Sequence, residues 1–237
     1  MIEIRSPESI FQTEGPIQKG TFLGRWHFSF GDYHDPRFMG LGVLRVFNDD
    51  TLSPGAVWPL HPHREIEVVT CCVAGEFKHA DQRGEGGVLL PGWVQHTTVG
   101  KGMWHSEINN LQDAPMRFIQ MWFRPDRPGL EPSVEQKQAS REDRCDRLLP
   151  LVSDRHKDAL PIHSPARVFS CFLRKGKSVD HQLPEGQGVY LYLLEGGPVQ
   201  VNDEAVAHLG TAIVREGDRI IVRAEQDSEL LLVEVKL

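Results

Sequence analysis

The stretch GAVWPLHPHREIEVVTCCVAG, Gly55 to Gly75, decides the fold, and it is answered twenty-five residues later by GKGMWHSEIN, Gly100 to Asn109. In the first, apolar and polar residues roughly alternate and Val, Ile and Thr abound, which argues for strand. Residues two apart on a strand share a face, so His61 and His63 point the same way, about 6.6 Å apart along the backbone. Two imidazoles so placed can chelate one ion. The second stretch repeats the device with His105 and Glu107, and Gly100 and Gly102 before them suit a tight hairpin turn. If the two strands face each other across a barrel, three nitrogens and one carboxylate oxygen converge.

Three His and one Glu suit a divalent first-row ion, one per chain: iron foremost, with manganese, nickel, cobalt or copper as alternatives and zinc chemically possible. The ligands must be neutral imidazoles, so metal should be lost as pH falls toward a free histidine pKa of about 6.5. A lone HxH on a strand is more often two half-exposed histidines. The downstream HxE after a Gly-rich turn is what lifts the pair to a metal site.

Gly55, five residues, His61-x-His63, three residues, Glu67, then Gly75 resembles the first cupin motif, and Gly102-x-x-His105-x-x-x-Asn109 resembles the end of the second. More narrowly, FSFGDYHDPRFMGLGVLRVFNDD (Phe28 to Asp50), HPHREIEVVT, GGVLLPGWVQ (Gly86 to Gln95), GKGMWHSE and IQMWFRP (Ile119 to Pro125) resemble the pirin family in order and spacing. The resemblance implies an all-β bicupin, two consecutive antiparallel β-barrel (jelly-roll) domains, and carries His61, His63, His105 and Glu107 onto the family's metal-ligand positions. It places Glu67 behind the ligands at most, although strand parity puts it on the face of His63. The chain departs from the family at Pro91-Gly92-Trp93, where pirins usually show PGD, and at Cys71-Cys72. Parity turns Cys71 toward the cavity and Cys72 away. The favoured role for Cys71 is that of a small buried apolar residue.

The chain has 237 residues, enough for one large or two medium domains. Its net charge of −7, from 26 basic and 33 acidic residues, argues against a direct grip on nucleic acid or an anionic membrane. Four cysteines, two of them adjacent, give no disulfide framework and fit a reducing compartment. MIEIRSPESIF reads as neither a secretory signal nor a membrane span. The expectation is a cytoplasmic protein, or a nuclear one in a eukaryote.

Along the chain, Ile2 to Ile4 reads as a short strand whose following loop wraps the first barrel. His27 and His34 read as structural or surface residues. Gly40 to Asn48 reads as strand and Asn48-Asp49-Asp50 as turn. Short strands follow from Cys71 to Val99, and His79, sixteen residues past His63, falls outside the expected site. From Arg124 the run RPDRPGLEPSVEQKQASREDRCDR is charged and has no apolar period, so it reads as a linker. The division is 1–130 for a metal-binding domain and 131–237 for linker plus a second cupin domain. Strands at Leu148 to Val152 and near Arg167 to Leu173 open that half. Setting Gly196 on Gly75, an offset of 121 residues, aligns GVYLYLLEG with EVVTCCVAG. It places Gln182 and Pro184 where His61 and His63 stand and turns His181 to the opposite face. The second barrel therefore keeps the skeleton without the ligands, with hairpin turns at Pro198 to Ala205 and Arg215 to Asp218.

The family resemblance implies a quercetin 2,3-dioxygenase reaction: dioxygen-dependent opening of a flavonol ring with release of carbon monoxide. The ion would act as a Lewis acid on the enolic oxygen, and Glu107, as ligand or as catalytic base, would take its proton. Met39, Phe47, Trp58 and Met121 are the expected wall for a flat aromatic ring. The same resemblance implies an alternative, an iron-dependent, redox-responsive regulatory protein, akin to a transcription co-regulator, that binds a protein partner without physiological turnover. A cupin enzyme acting on another small molecule is the third reading.

Overall fold

The computed structural model describes residues 2–82, 84 and 86–237. It is built almost wholly of strands, arranged as two consecutive sandwiches, each of a seven-stranded and a four-stranded sheet. The sheets do not close into barrels. In the first half the large sheet runs, in spatial order, Ser133–Lys137, Val94–Thr98, Glu67–Ala74, Met116–Phe123, Leu44–Leu52, Gly20–Trp26, Phe11–Ile17. The small sheet runs Val57–His63, Met103–Asn109, Phe77–Asp81, Gly86–Leu89. Gly100 and Gly102 therefore carry the chain from one sheet to the other and do not close a hairpin.

The central strands are buried on both faces, which is why they read as near-continuous apolar runs. One face of the first large sheet covers the interior of its own sandwich, with Leu52, Cys72, Phe77, Leu89, Met116 and Phe118. The other face packs against the second half, where Phe47, Val69, Cys71, Met121 and Phe123 share a core with Val168, Tyr190, Tyr192, Leu231 and Val233. The parity expectation for the two cysteines is thus reversed. The hop between sheets at residues 64–66, with Glu65 at a φ of 54°, breaks the alternation that would have linked His63 to Cys71.

Strand exchange joins the halves across residue 130. Ile2–Arg5 is the expected short strand but joins the second half, pairing antiparallel with Thr211–Val214, Ile2 facing Val214 and Arg5 facing Thr211, while the stretch after it lies on the first half as the strands Phe11–Ile17 and Gly20–Trp26 instead of a loop. Ile2 and Ile4 rest on the interior of the second sandwich, which supplies the apolar cover they need. In the other direction, Ser133–Lys137 lies inside the run expected to be a linker, yet it pairs with Val94–Thr98. Val134 from it packs beside Val68, Val99 and Met103. The Asn48-Asp49-Asp50 triplet is no turn either. It lies within Leu44–Leu52 and is buried.

The second half repeats the first. Gly75 and Gly196 both sit at a φ of 77°, and a Cβ on either would collide with a backbone carbonyl, of Pro115 at 2.7 Å and of Asp227 at 2.0 Å. The 121-residue offset holds at these strands and slips by one before them. On Ser178–Gln182 it is Val179 and His181 that face inward, while Gln182 is exposed. His181 therefore does not turn to the opposite face. Its Nε2 lies 2.8 Å from Glu234 Oε2, in an ion-pair network with Arg167 and Arg155. Val199–Val201 and Glu204–Val206 form a hairpin where only a turn was expected.

Candidate metal centre and aromatic pocket

Val57–His63 and Met103–Asn109 are neighbours in one sheet and do not face each other across a barrel. His61 stands directly opposite His105, and a bulge between His105 and Glu107 brings Glu107 opposite Trp58. His61, His63 and His105 gather so that one ring nitrogen from each lies within 4.8 Å of the others. His61 Nε2 and His105 Nε2 are 3.1 Å apart, a gap that two bonds of about 2.1 Å span at roughly a right angle.

The surroundings aim these nitrogens. His61 Nδ1 donates to the Pro59 carbonyl at 2.8 Å, leaving Nε2 as the lone-pair nitrogen. His105 Nδ1 lies 2.9 Å from His79 Nε2. This is the pattern by which a group behind a ligand fixes its tautomer and orientation. His63 Nε2 is buried and has no hydrogen-bond partner. Burial, reinforced by neighbouring rings, holds His63 at about 4 and His105 at about 2. Both are neutral at physiological pH, as ligands must be. A buried, unpartnered nitrogen beside two other ring nitrogens fits a divalent transition metal.

Glu107 is buried but is not one of the three converging groups. Its Oε1 accepts a hydrogen bond from Gln120 Nε2, and Gln120 Oε1 in turn accepts from Trp122 Nε1 at 2.9 Å. Burial raises its pKa, although His61 and Gln120 oppose the shift. Glu107 shares with His61 and His63 a cavity of about 560 Å³. Of the expected wall only Trp58 lines it. Phe47 and Met121 are buried in the core between the halves and Met39 lies exposed. The aromatic wall is Trp26, Phe30, Trp58 and Trp122.

Glu67 is not behind the ligands. Its carboxylate accepts hydrogen bonds from the His163 amide at 2.9 Å, the Ser164 amide at 2.7 Å and the Ser164 hydroxyl at 2.6 Å, so it ties the halves together. The sheet hop that reversed the cysteines moved it too. His79, set aside in the sequence, reaches the centre because Phe77–Asp81 pairs with Met103–Asn109, His79 opposite Glu107. Gln120 and Trp122 could have been found: a Gln within the apolar IQMWF run, two residues from a Trp, marks a polar face. Asn48 and Asp50 complete the polar wall. Burial pushes Asp50 well above the carboxylate range; nearby Asp49 and Glu107 add to the shift and the Trp26 hydrogen bond opposes it.

Family models match both halves, one described as Pirin over residues 11–123 and one as Quercetinase C-terminal cupin domain over residues 151–235. A Pseudomonas aeruginosa protein provisionally named as a quercetin 2,3-dioxygenase is 38% identical over 228 residues, 95% of this chain and 97% of its own length. The Escherichia coli K12 protein named quercetin 2,3-dioxygenase is 31% identical over 215 residues, 90% of this chain and 92% of its own. The crystal structure of bacterial pirin YhhW from Escherichia coli in complex with nickel(II) superposes with a TM-score of 0.91 at 26% identity, covering 100% of this chain and 99% of that one. With both sandwiches, the strand order and the three-histidine centre in place, the chain belongs to the pirin family.

Proposed function

We propose that the protein is a metal-dependent flavonol 2,3-dioxygenase, which converts a flavonol and dioxygen into a phenolic ester and carbon monoxide. The observation that carries this reading is the three-histidine centre with its unpartnered His63 Nε2, set in an aromatic-walled cavity that also holds the carboxyl of Glu107. His61, His63 and His105 would hold the ion, with Glu107 as the fourth donor. The donor set suits iron and equally nickel, the ion bound by the Escherichia coli relative. When bound, the ion would supply Lewis acidity toward an enolic oxygen.

The remaining work falls to side chains. The aromatic wall stacks on a flat ring and keeps water from it. Glu107, its affinity for protons raised by burial, accepts the 3-hydroxyl proton at a carboxylate oxygen. Gln120, itself held by Trp122, orients that carboxylate. The test is elemental analysis of the purified protein followed by flavonol-dependent oxygen uptake and carbon monoxide release. Metal-loaded protein that consumes no oxygen with any flavonol would overturn the reading in favour of a regulatory metal-binding role.

A further inference from the structure

From the wall of the same cavity we infer that Asn48 and Asp50 form a second polar subsite, one that receives a phenolic hydroxyl of the ligand other than its 3-hydroxyl. The inference rests on the flavonol reading and adds to it the feature that would decide which flavonols bind.

Asn48 and Asp50 lie two apart on Leu44–Leu52, so both side chains leave the same face, and both line the cavity. They are 2% and 6% exposed. Asn48 Oδ1 is buried and bonds to nothing, a state that costs free energy unless a donor arrives. Asp50 Oδ1 accepts a hydrogen bond from Trp26 Nε1 at 3.2 Å. One indole N–H does not explain a carboxyl at this depth, because a neutral acceptor would serve it at lower desolvation cost.

The space around Asp50 is reserved by sequence. Gly24 stands opposite it in the sheet, and a Cβ there would come within 2.6 Å of Asp50 Oδ1 and 2.7 Å of Trp26 Nε1. On the other flank Gln120, opposite Asn48, has its amide nitrogen committed to Glu107. An orphaned amide oxygen and, on the same face, a carboxyl whose partner is one indole N–H, bordered by Trp26 and Trp122, match hydroxyl groups on an aromatic ring. A site built to hydrogen-bond a hydroxyl rejects the analogue that lacks it.

The experiment is anaerobic titration calorimetry on the metal-loaded protein with two flavonols: quercetin, hydroxylated on both outer rings, and 3-hydroxyflavone, which lacks those hydroxyls. The readout is the ratio of their dissociation constants. The parent should favour quercetin by about tenfold or more. Asn48→Leu and Asp50→Leu should bring the ratio toward one, while Asp50→Asn, which can still donate and accept, should keep most of it. Methyl ethers of the outer hydroxyls give a reading on the parent alone and should bind about as weakly as 3-hydroxyflavone, so the inference stays testable if a leucine variant fails to fold. A parent ratio near one, or leucine variants that weaken both ligands equally, would overturn the subsite and leave the proposed function standing. A parent that binds neither flavonol would overturn both.

Discussion

Tyr192 of the second half donates its hydroxyl to Asp49 Oδ2 of the first at 2.6 Å, and Arg117 grips the same carboxylate through Nε and Nη2 at 2.8 and 2.7 Å. Asp49 faces the interface while its neighbour Asp50 faces the cavity, so one strand carries both the joint and the pocket wall. Tyr192→Phe removes a hydrogen bond to a charged acceptor and is expected to cost about 2 kcal/mol. Arg117 remains to neutralise Asp49, so the variant should fold. Equilibrium denaturation of parent and variant measures the difference, and a loss below a few tenths of a kcal/mol would mean the joint does not depend on this contact.

Glu67 gives the interface a pH dependence. Burial by itself would raise its pKa, but hydrogen bonds from His96, Ser164 and the His163 amide together hold it below the usual value. A pKa lower in the folded than in the unfolded chain contributes stability that is complete above the unfolded value of about 4.3 and is lost as pH falls through the folded one. Glu67→Gln should therefore be less stable than the parent at pH 7, and the gap should close below about pH 4. Denaturation midpoints at a series of pH values check this; a gap independent of pH would exclude the carboxylate charge as its cause.

Removing a ligand and removing its support should differ in degree. His61→Ala or His105→Ala should abolish stoichiometric metal binding with the sandwich still folded, because the strand ladders are untouched. His79→Ala should keep metal and weaken its affinity by about 10- to 100-fold, the usual effect of losing the group behind a ligand. Chelator competition with circular dichroism separates the two, and full affinity in His79→Ala would reduce His79 to a packing residue.

For Glu107, Glu107→Gln should retain much of the metal on three imidazoles and lose turnover by about a hundredfold or more, since an amide cannot take the proton. Metal content and oxygen uptake measured side by side decide it. Equal turnover in parent and variant would remove the base role.

What the sequence made legible was local. The alternation around His61 and His63 and the glycines at 75 and 196 depend on a few neighbouring residues and appear in the structure as read; of the HxE pair only His105 joins the other histidines, a bulge separating Glu107 from it. What failed depended on long-range pairing. Asn48-Asp49-Asp50 has turn composition, yet Arg117, Tyr192 and Trp26, all distant in sequence, supply the partners that let Asp49 and Asp50 be buried in a strand. Glu67, Cys71 and Cys72 were misplaced together because parity cannot be carried through a hop between sheets. His79 was missed because only strand pairing brings it to His105.

The exchanged first strand sets an order of events for the growing chain. Ile2–Arg5 is synthesised before the rest of the first half, but its partner, Thr211–Val214, is made more than two hundred residues later. A nascent chain can complete the histidine-bearing sandwich while Ile2–Arg5 still waits, and the closing step is a contact across more than two hundred residues, the kind that forms slowly. Until then the edge at Thr211–Val214 has no cover and the unpaired Ile2–Arg5 invites pairing with another molecule. Nascent copies crowded on one messenger would be the setting in which two chains trade this strand.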